Sequence, residues 1–147
     1  MKYFPAKLLL ATDGSEEAEL AAHTAIDLAE STGSELHVVY VEPLPSFLDG
    51  PATIGFDYLL YERHQEEARE VLRQLVWRVQ VAGGDVAGAH LRMGGVAEEV
   101  VSLAEELRVG LIVMGSRGRG GIRRALMGSV SDSVVRHAHC PVMIVRG

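Results

Sequence analysis

Glycine and arginine are concentrated after the apolar run Leu111 to Met114, in the sequence Gly-Ser-Arg-Gly-Arg-Gly-Gly that begins at Gly115. A second loop ends at Gly128-Ser129, which gives the spacing Gly-x2-Gly-x9-Gly-Ser. Glycines let backbone N–H groups approach a ligand closely, arginines supply positive charge, and a serine can cap the following helix. The combination predicts a site for an anion, most naturally the phosphates of a nucleotide.

The residues after Gly128 predict the start of a helix. Ser129 and Asp132 have capping-box spacing, with Asp in place of the usual Glu. Alone, this pattern would indicate only a cap. Because the glycine-arginine loop precedes it, we expect the Ser129 and Ser131 hydroxyls and nearby N–H groups to hold a phosphate or its metal partner.

Short apolar runs alternate with amphipathic segments along the whole chain. The runs are typical of strands buried in a parallel sheet. Strands are predicted at 7–12, 36–41, 86–93, 111–114 and 141–145, with helices between them. The pattern predicts one α/β domain, residues 1–147, built as a three-layer doubly wound parallel sheet with helices on both faces.

Ligands of such folds bind beyond the carboxyl ends of the strands. Asp13, Val41, Arg92 and Gly115 lie at predicted strand ends on this edge. Asp13 has two interpretations that the sequence leaves open. It could cap a helix or form a turn, or it could bind a ribose hydroxyl or a water on Mg²⁺.

Two local features of the strands and helices are also predicted. Gly88 predicts an irregularity in the third strand, and Trp77 is expected to cover the edge of the core. Residues 43–56 contain three prolines and two glycines, which predicts a loop.

Several phosphate-binding patterns are absent from the sequence. No Gly-x4-Gly-Lys-Ser/Thr sequence is present, and no Gly-x-Gly-x-x-Gly follows the first strand, which disfavours P-loop and dinucleotide-binding domains. His137, His139 and Cys140 lack a second ligand pair for a zinc site. No nucleophile, base and acid arrangement can be recognised, so no catalytic residue is predicted.

Composition narrows the class of partner. The formal net charge of −6 disfavours a nucleic-acid-binding protein, and no apolar run approaches the length of a membrane helix. A single cysteine and an N-terminus interrupted by charge suit a cytoplasmic protein.

The chain resembles the universal stress protein family, in its ATP-binding branch, over nearly its whole length. The resemblance is carried by residues 11–15 (Ala-Thr-Asp-Gly-Ser), 38–41, 114–118 (Met-Gly-Ser-Arg-Gly), 128–131 (Gly-Ser-Val-Ser) and 139–142 (His-Cys-Pro-Val).

The resemblance implies a Rossmann-like fold of the adenine nucleotide alpha hydrolase type, with strand order 3-2-1-4-5. It also implies that Asp13 contacts the ribose and that the Val41 backbone pairs with adenine. Mg²⁺ or Mn²⁺ would accompany the ATP, with Asp13 and Ser131 as its contacts. The full set of implied nucleotide contacts is Ala11, Thr12, Asp13, Val41, Met114, Gly115, Arg117, Gly118, Gly128, Ser129, Val130 and Ser131.

The resulting hypothesis is a cytoplasmic, ATP-binding regulator or sensor of the stress response that forms a homodimer through the edge of its fifth strand. Pairing that edge would remove an aggregation hazard. Two alternatives remain: an enzyme that slowly hydrolyses ATP or phosphorylates itself, and a nucleotide-free module that binds an unknown protein partner.

Overall fold

The computed structural model describes residues 4–44, 58–116 and 128–147. Arg117 and Gly118 of the predicted site, and most of the predicted loop 43–56, lie outside these ranges. None of the described helices is long and apolar enough to cross a membrane.

Five strands and four helices alternate along the described chain. They are β1 (Lys7–Ala11), α1 (Glu16–Thr32), β2 (Glu35–Glu42), α2 (Tyr58–Val81), β3 (Val86–Met93), α3 (Val96–Leu107), β4 (Leu111–Gly115), α4 (Ser129–His137) and β5 (Val142–Val145). The strands form one parallel sheet in the order β3-β2-β1-β4-β5, which confirms the predicted doubly wound architecture.

Strand β1 lies at the centre of the sheet, and its side chains alternate between the two faces. Leu8 and Leu10 pack in the cluster that contains buried residues of α1 and α2, whereas Leu9 packs with those of α3 and α4. All three leucines are 0% exposed, because both faces of the sheet are covered by helices. The connections that follow β1 and β4 therefore lead to opposite faces of the sheet, which opens a crevice at the carboxyl ends of these two neighbouring strands.

Helix α1 lies close to the sheet because small residues face it. Ala18, Ala21 and Ala25 are buried along this face. The Ser15 side chain caps the helix by accepting a hydrogen bond from the Ala18 N–H at 3.3 Å. A Cβ atom added to Gly115 would lie 2.9 Å from the carbonyl carbon of Glu17, so the glycine is needed for this approach.

The predicted irregularity near Gly88 is confirmed. Leu36 pairs with Val86 but His37 pairs with Gly88, so Ala87 is an extra residue in β3. The prediction for Trp77 is wrong, since this side chain is 60% exposed. Trp77 lies two residues from the buried Leu75, or about 200° around the helix, and therefore faces solvent.

Candidate functional site

A cavity of about 460 Å³ opens at the carboxyl ends of β1, β2 and β4, within the size range of small-molecule sites. Ten of the twelve predicted nucleotide contacts line it; the other two, Arg117 and Gly118, lie outside the described residues. The ten are Ala11, Thr12, Asp13, Val41, Met114, Gly115, Gly128, Ser129, Val130 and Ser131. Segments far apart in sequence therefore meet at the crevice where the winding reverses.

The turn after β1 places Asp13 at the cavity. The Thr12 N–H donates to the Val39 carbonyl at 3.1 Å, which ties the turn to β2. Asp13 Oδ1 accepts a hydrogen bond from the Ser15 N–H at 2.9 Å, and Gly14 follows with φ of 82°. Ser15 is the helix cap, so Asp13 forms the turn and does not cap α1.

The backbone of Val41 is turned toward the space beyond the end of β1. Within a strand, the N–H and C=O of one residue point to the same neighbouring strand, and those of the next residue point to the strand on the other side. The Val39 carbonyl accepts from Thr12 on the β1 side, and the Glu42 carbonyl accepts from Gly94 on the β3 side. The N–H and C=O of Val41 therefore point to the β1 side. The last pair of residues between β1 and β2 is Ala11 and Val39, so β1 has ended before it reaches Val41. A backbone donor and an acceptor lie side by side at the cleft.

Apolar side chains form the wall of the cavity on the α3 face of the sheet. Val39, Val41 and Met114 belong to one buried cluster with Val100 of α3, and Val96 packs against it. Such a wall suits a flat, largely apolar ring. Val39 and Val100 were not predicted as site residues, although the two-residue spacing from Val39 to Val41 could have indicated the first.

Ser116 ties the far side of the cavity together through each of its polar groups. Its N–H donates to the Val145 carbonyl at 2.9 Å, and its hydroxyl donates to a carboxylate oxygen of Glu17. Its carbonyl accepts from the Gly128 N–H and the Ser131 hydroxyl, both at 2.6 Å. The serine is 2% exposed and lines the cavity, but its sequence context gave no separate signal for this role.

The predicted capping role of Ser129 is wrong. Helix α4 begins with Gly128 as its N-cap, without a side-chain cap hydrogen bond. The Asp132 N–H, which a capping serine at 129 would need, instead donates to the Gly128 carbonyl at 3.0 Å as the first helical bond. Because the N-cap has no side chain, the positive end of α4 is presented to the cavity without a competing serine oxygen.

The side-chain oxygens at the site are too few to bind a divalent cation such as Mg²⁺ alone, so a bound ligand would have to supply further oxygens. Asp13 offers a carboxylate, and Ser131 offers the lone pairs of a hydroxyl whose proton goes to backbone carbonyls. Within the described ranges, no group of three or more histidine, cysteine or acidic side chains could hold a metal. Mg²⁺ is commonly bound by one or two carboxylates plus substrate phosphates, which matches this sparse set.

Arg92 does not line this cavity, although it follows the same edge of the sheet. Its guanidinium donates to Glu106 and lies 3.9 Å from Glu99, both on α3. Near the other end of α4, His139 pairs with Glu105 at 2.7 Å. These pairs therefore connect α3 to β3 and to the segment after α4, and they do not line the cavity.

Comparison with known proteins assigns the family. The model of the universal stress protein family matches residues 6–146. A universal stress protein of Thermus aquaticus is 38% identical, covering 95% of this chain and 97% of the relative. One from Methanocaldococcus jannaschii is 35% identical, covering 95% of this chain and 81% of the relative.

Solved structures agree with this assignment. Hypothetical protein MJ0577 is similar with a TM-score of 0.80 at 27% identity, covering 96% of this chain and 95% of that protein. The universal stress protein from Archaeoglobus fulgidus in complex with dAMP has a TM-score of 0.66 at 26% identity, covering 99% of both chains. Sequence and fold lead to one conclusion: this chain belongs to the universal stress protein family.

Proposed function

We propose that the protein binds ATP in the cavity at the carboxyl edge of its sheet, together with Mg²⁺ or Mn²⁺. The observation that carries the proposal is the placement of two complementary features on opposite sides of β1. The Val41 backbone offers a donor and an acceptor on the β2 side, and α4 begins on the β4 side. A nucleotide has a base at one end and phosphates at the other, and it would span the two.

The base end favours adenine. The Watson–Crick edge of adenine carries an amine donor beside a ring-nitrogen acceptor, which matches the paired C=O and N–H groups of Val41. The apolar wall formed by Val39, Met114 and Val100 would cover the face of the ring. The Archaeoglobus fulgidus relative that binds dAMP, also an adenine nucleotide, supports this choice.

The phosphate end would use the start of α4. The first N–H groups of a helix bind anions, and the glycine N-cap leaves them without a side-chain acceptor. Asp13 would contact the ribose, or the cation through water. The cation would neutralise repulsion between this carboxylate and the phosphates. Ser131 would add its hydroxyl oxygen on the α4 side.

Isothermal titration with ATP and Mg²⁺ tests the proposal on a pair of α4 variants. Gly128→Leu would place a bulky side chain beside the first N–H groups and is expected to abolish binding. His137→Leu alters an exposed residue at the other end of the same helix and should leave the affinity unchanged. Far-ultraviolet circular dichroism establishes that both variants fold. Unchanged ATP affinity in folded Gly128→Leu would refute the proposal.

The same purified protein distinguishes binding from turnover. As a regulator or sensor, the protein would hold ATP without releasing phosphate above background. Phosphate release that disappears in Asp13→Ala would instead indicate a slow ATPase. No ATP affinity with Mg²⁺ present would favour the nucleotide-free interaction module.

We also propose that the protein is cytoplasmic and that two copies pair through the edge of β5 that no described strand covers. The Pro141 carbonyl accepts a bond from Ile112 of β4, and the Val145 carbonyl accepts one from Ser116, which follows β4. The intervening Ile144 therefore directs its N–H and C=O away from β4. Leu20, 44% exposed, lies beside the chain end that follows β5. A second copy could satisfy the edge and cover this apolar side chain.

The dimer is tested by a proline at the outward position. Ile144→Pro removes an outward N–H without removing a bond to β4, and should give a monomer by analytical ultracentrifugation. Ile144→Ala loses packing to a similar extent as Ile144→Pro but keeps the N–H that would bond to the second copy, so this variant should remain dimeric. A dimer that persists in Ile144→Pro would exclude pairing through this edge.

A further inference from the structure

A chain of one carboxylate and two imidazoles joins β2 to the edge strand β3, apart from the residues that line the cavity. His37 Nε2 lies 3.1 Å from Glu35 Oε2, and His37 Nδ1 lies 3.1 Å from His90 Nε2. His37 is 9% exposed. A polar group this deeply buried in a sheet is costly unless it is hydrogen-bonded, so both contacts matter for stability.

The two imidazoles meet edge to edge. Their centres are 5.4 Å apart and their planes differ by 24°, while the facing nitrogens are 3.1 Å apart. At that spacing the nitrogens must lie on the line between the ring centres, which is the geometry of an N–H···N hydrogen bond. Two lone pairs facing each other at this distance cannot converge on one metal ion, so the contact holds a proton.

The hydrogen bonds determine which ring nitrogens carry protons when both histidines are neutral. An ionised Glu35 can only accept, so His37 Nε2 must carry a proton. In neutral His37, Nδ1 is then an acceptor, and His90 Nε2 must donate to it. If one of the two imidazoles gains a proton, the hydrogen bond between His37 Nδ1 and His90 Nε2 can remain. If both imidazoles are protonated, both of these nitrogens carry a proton and the hydrogen bond is lost.

Gly88 makes this contact possible. A Cβ atom at this position would lie 2.7 Å from His37 Nδ1 and 3.0 Å from His90 Nε2. The glycine belongs to the irregular start of β3, where Ala87 is the extra residue. Any side chain here would push the imidazoles apart.

Charges from three neighbouring elements act on the cluster. Lys7 of β1 stands opposite Glu35 in the strand register, and its Nζ donates to the Leu107 carbonyl of α3 at 3.2 Å. Arg92 of β3 opposes protonation of His90, and Glu106 of α3 favours it. Arg92 is itself paired with Glu106, so these two charges largely offset each other.

We propose that Glu35, His37 and His90 form an acid-sensitive contact that secures β3 at neutral pH and releases it when both imidazoles are protonated. The contact lies on the edge strand β3, apart from the residues that line the cavity, and does not require a bound nucleotide.

The direction of the pH effect follows from His90. Burial, followed by the charge of His37 and that of Arg92, lowers the pKa of His90 below its ordinary value, and Glu106 only partly opposes this. A group with a lowered pKa in the folded state stabilises the fold fully above its unfolded pKa of about 6.5. That stability is lost as the pH falls through the lowered value.

The first test uses the unaltered protein. Nitrogen-15 correlation spectra of the histidine rings at pH 8 should show both His37 and His90 protonated on Nε2. A His37 ring protonated on Nδ1 at this pH would overturn the proposal, because it reverses the direction of the hydrogen bond.

The second test is native-state amide hydrogen exchange at pH 7.5 and pH 5.0, corrected for intrinsic exchange. Protection of β3 should fall at least about tenfold more than that of β1. His90→Gln should abolish this difference, whereas His23→Gln, an exposed histidine on α1, should retain it. Equal pH dependence in wild type and His90→Gln would overturn the proposal. If His90→Gln does not fold, equal loss of protection in β1 and β3 of the wild type would do the same.

Discussion

Gly115 permits the close packing of α1 against β4, and adding a single methyl group there tests how much that packing contributes to stability. A Cβ atom at this position would lie 2.9 Å from the Glu17 carbonyl carbon, 3.0 Å from the Glu17 Cβ and 3.1 Å from the Ala18 nitrogen. Two of these atoms are helix backbone, so the clash can be relieved only by moving α1 away from β4. Overpacking of this kind costs about 1–3 kcal/mol, and we expect Gly115→Ala to lower the free energy of unfolding by that amount.

Gly147→Ala is a matched control, because its added Cβ would also meet α1. Its added Cβ would lie 2.9 Å from Leu20 Cδ1, the end of an exposed side chain that can rotate away. The free energy of unfolding should therefore change by less than about 0.5 kcal/mol. Urea denaturation of both variants measures the difference, and the melting temperature of Gly115→Ala should fall by about 2–4 °C per kcal/mol. Equal stability of the two variants would refute the packing argument.

Three further outcomes are expected. Gly128→Ser would supply the missing N-cap oxygen and raise the free energy of unfolding by a few tenths of a kcal/mol, which urea denaturation measures. The new oxygen would compete with the phosphates for the same N–H groups, so ATP affinity measured by isothermal titration should fall. Tighter ATP binding would contradict this prediction. Ser131→Ala removes the bond to the Ser116 carbonyl and should lower the free energy of unfolding by about 0.5–1.5 kcal/mol, with unchanged stability as the contrary result. Burial raises the pKa of the Cys140 thiol, so iodoacetamide should modify it more slowly at pH 7.5 in the folded protein than in urea, and equal rates would contradict this.

The doubly wound parallel architecture was accessible from the sequence because the pattern of each strand reflects its burial, whereas the strand order was implied by the family resemblance. The run of leucines in β1 has no polar alternation, which only a strand buried on both faces permits. The glycine spacing after β4, together with the family resemblance, then identified which strand ends meet. Ten predicted contacts line one cavity for this reason.

The start of α4 could not be predicted correctly from local pattern alone. Ser129 has a favourable spacing to Asp132, but the chain also has Ser131, whose hydroxyl donates to Ser116 across the fold. That long-range bond, with the bond from Gly128 N–H to the same carbonyl, sets the helix to begin one residue earlier. Ser116 was missed for the same reason, since its partners are distant in sequence.

The histidine pair shows a second limit of sequence reasoning. His37 and His90 are 53 residues apart, and only the β2–β3 register brings them together. The extra residue at Ala87 shifts that register, so an unbroken alignment of the two predicted strands would have placed different side chains opposite each other. The irregularity in β3 could be predicted from Gly88, but the contact between His37 and His90 that results from it could not.

The hydrogen bond from Gly128 N–H to the Ser116 carbonyl joins the N-cap of α4 to the residue that follows β4. Both residues line the cavity, so the start of α4 is tied to the end of the strand where the proposed phosphates would lie. The Gly128 amide should therefore serve as a spectroscopic reporter, since its exchange with solvent measures how firmly the start of α4 is held to β4.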